Sequence, residues 1–226
     1  MSLSWKQIAG WAGVVYTAIF LLLFLLIGTP PGFDDSPAEY REWFVDNETT
    51  IAILTVGLTL AFVLILLFAS GVRGMLAPVD TANDGLWSRF SYAGAVMMVA
   101  MAGAGASFWA VLGLEEVLAT ASDDTIKVLS IFDTVFFTML VPFGMAAFVL
   151  GASVVILQSG VLAKWVGWLG VAIAALVFIG SLWPFGGDPE GFFGVVGLLA
   201  FPPGFLIWTL AMAIPMIRSS SSTASA

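Results

Sequence analysis

The chain has 226 residues, of which 60% are hydrophobic and only 10% charged, and it contains neither cysteine nor histidine. A soluble domain carries about 25% charged residues, so this composition points to one lipid-embedded domain, without room for a separate soluble one. The missing cysteine and histidine exclude disulfides, iron–sulfur clusters, thiolate zinc, histidine-ligated haem and Ser–His or Cys–His catalysis, and the seven basic residues behind the net charge of −8 are scattered singly, which excludes a nucleic-acid surface.

Six apolar stretches occupy residues 8–27, 51–70, 90–114, 128–157, 165–183 and 192–217. Each approaches the roughly 20 residues that a helix needs to span the hydrocarbon core. They are continuously apolar and do not alternate as barrel strands do. A lipid-exposed backbone must also satisfy its own hydrogen bonds, which favours helices. The reading is an all-α bundle of six transmembrane helices in three helical hairpins, one domain over 1–218.

The first stretch follows Lys6 and is longer than a signal-peptide core. It runs into Gly28-Thr29-Pro30-Pro31-Gly32 and not into a small-x-small cleavage site, so it reads as a retained helix. In the next loop, Ser36-Pro37-Ala38-Glu39 is a capping box with proline at the first helical position. It predicts a short interfacial helix over about 37–48, with Tyr40, Trp43 and Phe44 on one face and Glu39, Glu42 and Asp46 away from it. Such a helix covers the loop or acts as a lid.

Small residues four apart mark helix faces that can approach closely: Gly103 and Ser107, Ala147 and Gly151, Gly170 and Ala174. The run Ala102-Gly103-Ala104-Gly105-Ala106-Ser107 predicts that the third helix is central and tightly packed, within the chain or against a second copy. Glu115-Glu116 and Asp123-Asp124 read as solvated loop acids, because adjacent acids converge on one ion only in a shaped loop. No metal site, cofactor or catalytic residue is expected.

Ser122 is a natural N-cap for the fourth helix. Asp133 lies about 15 Å further along by helical rise and is the only Asp, Glu, Lys or Arg within any of the six stretches. A carboxylate at that depth is costly and suggests function by default. Lys127, Ser130, Thr134 and Thr138 form a stripe on the same helix, with Asp133 about 60° from Ser130 at ~100° per residue. Pro142 then deprives the Thr138 carbonyl of its usual donor. These residues form a polar groove that ends at a kink. It is expected to line an outward-facing cavity in which Asp133 holds a cation, a proton or a polar ligand group. The alternatives are that Lys127 or Arg41 folds onto Asp133, or that a neighbouring hydroxyl such as Ser107 or Thr55 bonds it.

The fifth helix repeats the start of the first: Lys164 precedes Gly167-Trp168-Leu169-Gly170-Val171, as Lys6 precedes Gly10-Trp11-Ala12-Gly13-Val14. Both end in Pro/Gly turns with acids, Pro30-Pro31-Gly32-Phe33-Asp34 and Pro184-Phe185-Gly186-Gly187-Asp188, and Trp87, Arg89, Tyr92 and Gly94 give a looser version in the third helix. The pattern fits a parallel repeat, and equally the placement of Trp and basic residues at helix ends. The last helix contains Pro202-Pro203-Gly204 in mid-membrane, then Pro215. Broken membrane helices either line cavities or pack as static kinks. The tail 219–226 is small and polar, and reads as disordered.

With the N-terminus inside, cytoplasmic segments carry Lys6, Arg73, Arg89, Lys164 and Arg218, against Arg41 and Lys127 outside. The positive-inside rule therefore puts both termini in the cytoplasm. Nearly all the acids fall outside, with only Asp80 and Asp84 inside.

Three features recur over the last third of the chain. They are Gln158-Ser159-Gly160-Val161-Leu162, Trp165-Val166-Gly167-Trp168-Leu169-Gly170, and a last helix with Leu206-Ile207-Trp208 ending at Arg218. This stretch resembles uncharacterised bacterial six-helix integral membrane proteins known only as domains of unknown function. The resemblance implies a multi-pass bundle in a bacterial plasma membrane and carries over no activity, substrate or site residue. The scarcity of reactive residues leads to a non-enzymatic structural, accessory or partner-binding subunit, whose partners are the bilayer and, through small-residue faces, another membrane protein or a second copy. The alternative is a small transporter or channel-like protein using the Asp133 groove and the breaks at Pro142, Pro202 and Pro203.

Overall fold

The computed structural model describes residues 3–82, 84–182 and 192–219, and all regular structure among them is helical. α1 (Trp5–Leu26) opens on a capping box: the Ser4 hydroxyl accepts from the Gln7 amide and the Gln7 side chain accepts from the Ser4 amide. α2 (Pro37–Asp46) uses the same device. The Glu39 carboxylate accepts from the Ser36 N–H at 2.6 Å, and the Ser36 hydroxyl accepts from the Glu39 N–H. Each box satisfies two donors that a helix start otherwise leaves unpaired.

α3 (Glu48–Leu76) follows Asn47 directly and outruns the apolar stretch 51–70 at both ends. α4 (Leu86–Leu112) begins after Gly85, whose φ of 75° is a left-handed position open to glycine. A short α5 (Glu115–Thr120) precedes α6 (Asp123–Val135), capped by Ser122. The chain then passes through a π turn (Phe136–Leu140) into α7 (Val141–Ser159). α8 (Lys164–Gly180) is followed by α9 (Phe192–Leu199), a second π turn (Ala200–Gly204) and α10 (Phe205–Arg218).

Among the described residues, five helical runs are long and apolar enough to cross a membrane: Trp5–Leu26, Glu48–Val79, Leu86–Leu112, Asp123–Ser159 and Phe192–Arg218. α8 is as apolar but has only 17 residues. Trp183, the Pro/Gly turn after it with Asp188 and Glu190, and the tail beyond Ser219 lie outside the described residues.

The helices pack antiparallel through glycines. Gly71 on α3 meets Ala9 on α1, and Gly13 on α1 lies against the Phe68 ring. Gly10 on α1 faces Ile217 and Ala213 on α10. A Cβ at Gly94 on α4 would strike the Phe148 amide nitrogen on α7, and one at Gly144 on α7 would strike the Met98 backbone on α4. Ser91 donates across this contact to the Phe148 carbonyl at 2.8 Å. Lipid is as apolar as leucine, so close van der Waals contact and such bonds hold these helices together.

The third apolar stretch, in α4, packs closely against α3, α6 and α7, as the small-residue run predicts, but not through Gly103 and Ser107. A Cβ at Gly103 would meet nothing within 4 Å, and Ser107 is exposed. The helix actually packs through Gly94, Met98, Ala102 and Gly105. Gly103 lies nine residues from Gly94, about 180° round the helix at ~100° per residue. The partner run of α4, Asp123–Ser159, is more enclosed, with 61% of the most apolar window buried against 33% for Leu86–Leu112.

The repeated Gly-Trp motifs take matching orientations. Gly10 and Gly13 on α1, and Gly167 and Gly170 on α8, turn inward, while Trp11 and Trp168 turn out. Two apolar clusters result. The larger surrounds Phe68, Phe148, Phe205 and Trp208. The smaller gathers Leu23, Tyr40, Phe44, Ile51, Trp109 and Ile126 at the end where α2 sits.

Candidate functional site, a cavity around Asp133

A cavity of about 620 Å³ lies between the two clusters, toward the α2 end. Its wall comes from α1, α3, α4, α6, both π turns, and the facing ends of α8 and α9. Two local features of the chain open it. Gly180 on α8 and Gly197 on α9 approach backbone to backbone and form part of the wall without side chains of their own. The π turns also widen α6–α7 and α9–α10 at this level.

Each π turn follows from proline. Pro142 cannot donate to a carbonyl one turn back. The helix instead takes an extra residue, with the Val141 N–H donating to the Phe136 carbonyl. Pro202 and Pro203 force the same solution in the last helix, where the Phe205 N–H reaches the Ala200 carbonyl. Such π bulges occur frequently at functional sites. Pro142 and Pro202 line the cavity; Pro203 is exposed and does not.

Asp133 reaches the cavity wall from the last turn of α6 and is 7% exposed. Among the described residues no hydrogen bond or ion pair reaches its carboxyl. Thr134 and Thr138 line the same wall, and each hydroxyl donates to its own helix, Thr134 to the Ser130 carbonyl and Thr138 to the Thr134 carbonyl. The hydroxyls considered as partners for Asp133 are also spent locally. Thr55 donates to Ile51 at 2.9 Å and Ser107 to Ala104 at 2.6 Å.

Of the five groove residues, the structure therefore brings three to the cavity: Asp133, Thr134 and Thr138. Ser130 is buried beside it but is not part of the wall. Lys127 sits nearer the helix start and turns to the surface. Its ammonium donates to the Asp35 carbonyl at 2.6 Å and lies 5.6 Å from the Tyr40 ring centre. A long charged side chain keeps its head in water where it can. Arg41 is likewise committed, pairing with Asp123 and donating to the Leu118 carbonyl. Neither basic residue folds onto Asp133.

α2 covers this end of the bundle. Tyr40 and Phe44 are buried, Tyr40 donates to the Gly32 carbonyl at 2.9 Å, and the rings of Trp43 and Phe44 pack on Trp109. Trp109 also lines the cavity, and its buried Nε1 has no hydrogen-bond partner among the described residues. No motif or spacing in the sequence marks Trp109. Nor does any mark the rings of Phe20, Phe24, Phe137 and Phe201, whose convergence is purely tertiary. Outside the spans, the Ser36 N–H and hydroxyl hold the Glu39 carboxyl below its ordinary value, and burial raises the Tyr40 phenol.

The class these features define is an all-helical bundle with five membrane-length apolar helices and one large, mostly apolar cavity holding a carboxyl group. No family model, curated protein or solved structure matches the chain.

Proposed function

We propose that the chain is a multi-pass plasma-membrane protein that binds a small ligand in the cavity around Asp133, as a small transporter or ligand-binding subunit does. In this reading α8 is a sixth, short span that the bilayer thins to match, both termini are cytoplasmic, and the α2 end faces outward. Five basic residues at the opposite end support the orientation. The bacterial setting rests on the sequence resemblance over the last third.

One observation carries the reading: two proline-broken helices and the only charged side chain of the six apolar stretches converge on one cavity. At about 620 Å³ its volume lies in the ~300–1,000 Å³ range of ligand sites. A static kink needs no carboxylate beside it, and a wetted surface aspartate needs no cavity. The reading is non-enzymatic, on the scarcity of reactive residues in the sequence, which has no cysteine and no histidine.

Native mass spectrometry of the protein drawn from its membrane tests this. A small-molecule adduct is expected on the wild type and should be lost in Ala106→Phe, which fills the cavity wall. Identical bare masses for both would remove the reading. A partner-binding accessory subunit is the second reading, favoured by the uncovered Gly103 and Ser107 on α4. Its mark is a protein that co-purifies with wild type and is lost in Gly103→Leu.

A further inference from the structure

The cavity's chemistry narrows the ligand. All seven lysine and arginine residues lie within the described part of the chain, and none lines the cavity. Arg41 and Lys127, the two at the same end, have their charged groups engaged elsewhere. Asp133 thus faces an apolar cavity with no basic residue to neutralise it. A buried carboxylate without a partner is expensive, and a cation from outside removes that cost, as a bound proton also does.

The rest of the wall suits a particular kind of cation. Five aromatic residues, Phe20, Phe24, Trp109, Phe137 and Phe201, line it, with the rings of Phe20 and Phe201 edge to face at 6.3 Å. Aromatic faces attract cations, and more strongly in desolvated sites. Leucines and small residues make up most of the remainder, which leaves few groups to replace the water shell of a bare metal ion. Hard cations need six or more oxygen ligands, whereas the described wall offers a single carboxyl, on Asp133, and a few hydroxyls spread over separate elements, Thr55 on α3, Thr134 on α6 and Ser181 after α8. The acidic loops at the same end, with Asp34, Glu42, Asp46, Glu115 and Glu116 exposed, favour approach by positive charge.

We infer that the cavity takes a monovalent organic cation with a large apolar body, its charge set against Asp133 and its body against the aromatic wall. This rests on the ligand-binding reading above and specifies its ligand class. A neutral lipid chain would fill the apolar wall but make no use of Asp133, which would then take up a proton, and an anion would be repelled by the carboxylate.

The test uses two probes of nearly the same shape and opposite charge, tetraphenylphosphonium and tetraphenylborate, with the full-length protein in nanodiscs made from zwitterionic lipid. Equilibrium binding of radiolabelled tetraphenylphosphonium is expected to be saturable and at least about tenfold tighter than that of tetraphenylborate. Asp133→Asn should weaken the phosphonium by a similar factor while leaving the melting temperature near wild type. Ala106→Phe should weaken it as well, which ties the binding to the cavity. Equal binding of both probes, insensitive to Asp133→Asn yet lost in Ala106→Phe, would overturn the cation assignment and leave the cavity as a ligand site. Saturable binding of neither probe would overturn the assignment, and together with an adduct-free native mass would remove the ligand site too. The wild-type comparison of the two probes decides the charge preference even where Asp133→Asn fails to fold.

Discussion

Arg41 shows how a single side chain can hold an element in place. It projects from α2, pairs with Asp123 at the start of α6 and donates to the Leu118 carbonyl in α5. The ion pair is partly exposed, at 30% and 43% for the two side chains, and exposed pairs contribute little. The carbonyl bond matters more, because it satisfies a group that a short helix leaves unpaired. Arg41→Ala should cost about 1–2 kcal/mol, read as lower thermal stability, and should speed hydrogen exchange in α2 and α5 together. Exchange confined to α2 would contradict the role in α5. Glu39 gives α2 a pH dependence. Its folded value is lowered from 4.5 by the Ser36 N–H and hydroxyl. The contribution of this cap is therefore complete above that ordinary value and disappears as pH falls through the lower folded one. The protection of α2 amides, exchange taken relative to the intrinsic rate at each pH, should fall on acidification below about pH 4.5, and Glu39→Gln should flatten that dependence.

At the scale of elements, glycine placement decides which helix faces touch. Gly94 and Gly144 lie in the α4–α7 contact, where a Cβ has no room, whereas Gly103 faces away. Gly94→Ala should destabilise the protein by about 1–3 kcal/mol through overpacking. Gly103→Ala should leave the melting temperature unchanged or raise it, as removing a helical glycine does by up to about 1 kcal/mol. Comparable losses in both would mean that α4 uses its other face. The contrast also marks what the sequence could say. Hydropathy delimits the helices, and the capping residues Ser36 and Ser122 are legible as helix starts. Which small-residue stripe packs is not, because Gly94 and Gly103 are equally plausible until a neighbour's position is known. Asp133, Pro142 and Pro202 stand out against their apolar surroundings by type alone. Their convergence with Trp109 and Phe201, and the departure of Lys127 toward Asp35, depend on how α1, α4 and the last helix fold against α6. The two π turns were legible only as prolines in the wrong place; the extra residue that accommodates each is a backbone solution that composition does not encode.

On the scale of the whole molecule, the fold is two apolar clusters with a cavity between them, and the cavity lies at the end where the acids gather. Packing by glycine contacts and by aromatic rings such as Phe148 on Trp208, 5.4 Å between centres, holds the far end firmly. The near end is closed by α2, a ten-residue helix tied down by Tyr40, Phe44 and Arg41. Burial of Phe44 at the water interface contributes about 1.5–3 kcal/mol, enough to seat α2 and small enough to let it open. The chain has no cysteine, so a single introduced thiol reports its own surroundings without background. Thr138→Cys places that thiol on the cavity wall beside the first π turn. In intact cells, a membrane-impermeant, positively charged thiosulfonate added outside should modify it, faster than a negatively charged one of similar size, and tetraphenylphosphonium should slow the reaction. Modification only from the cytoplasmic side, or none from either, would contradict an outward-facing cavity around Asp133.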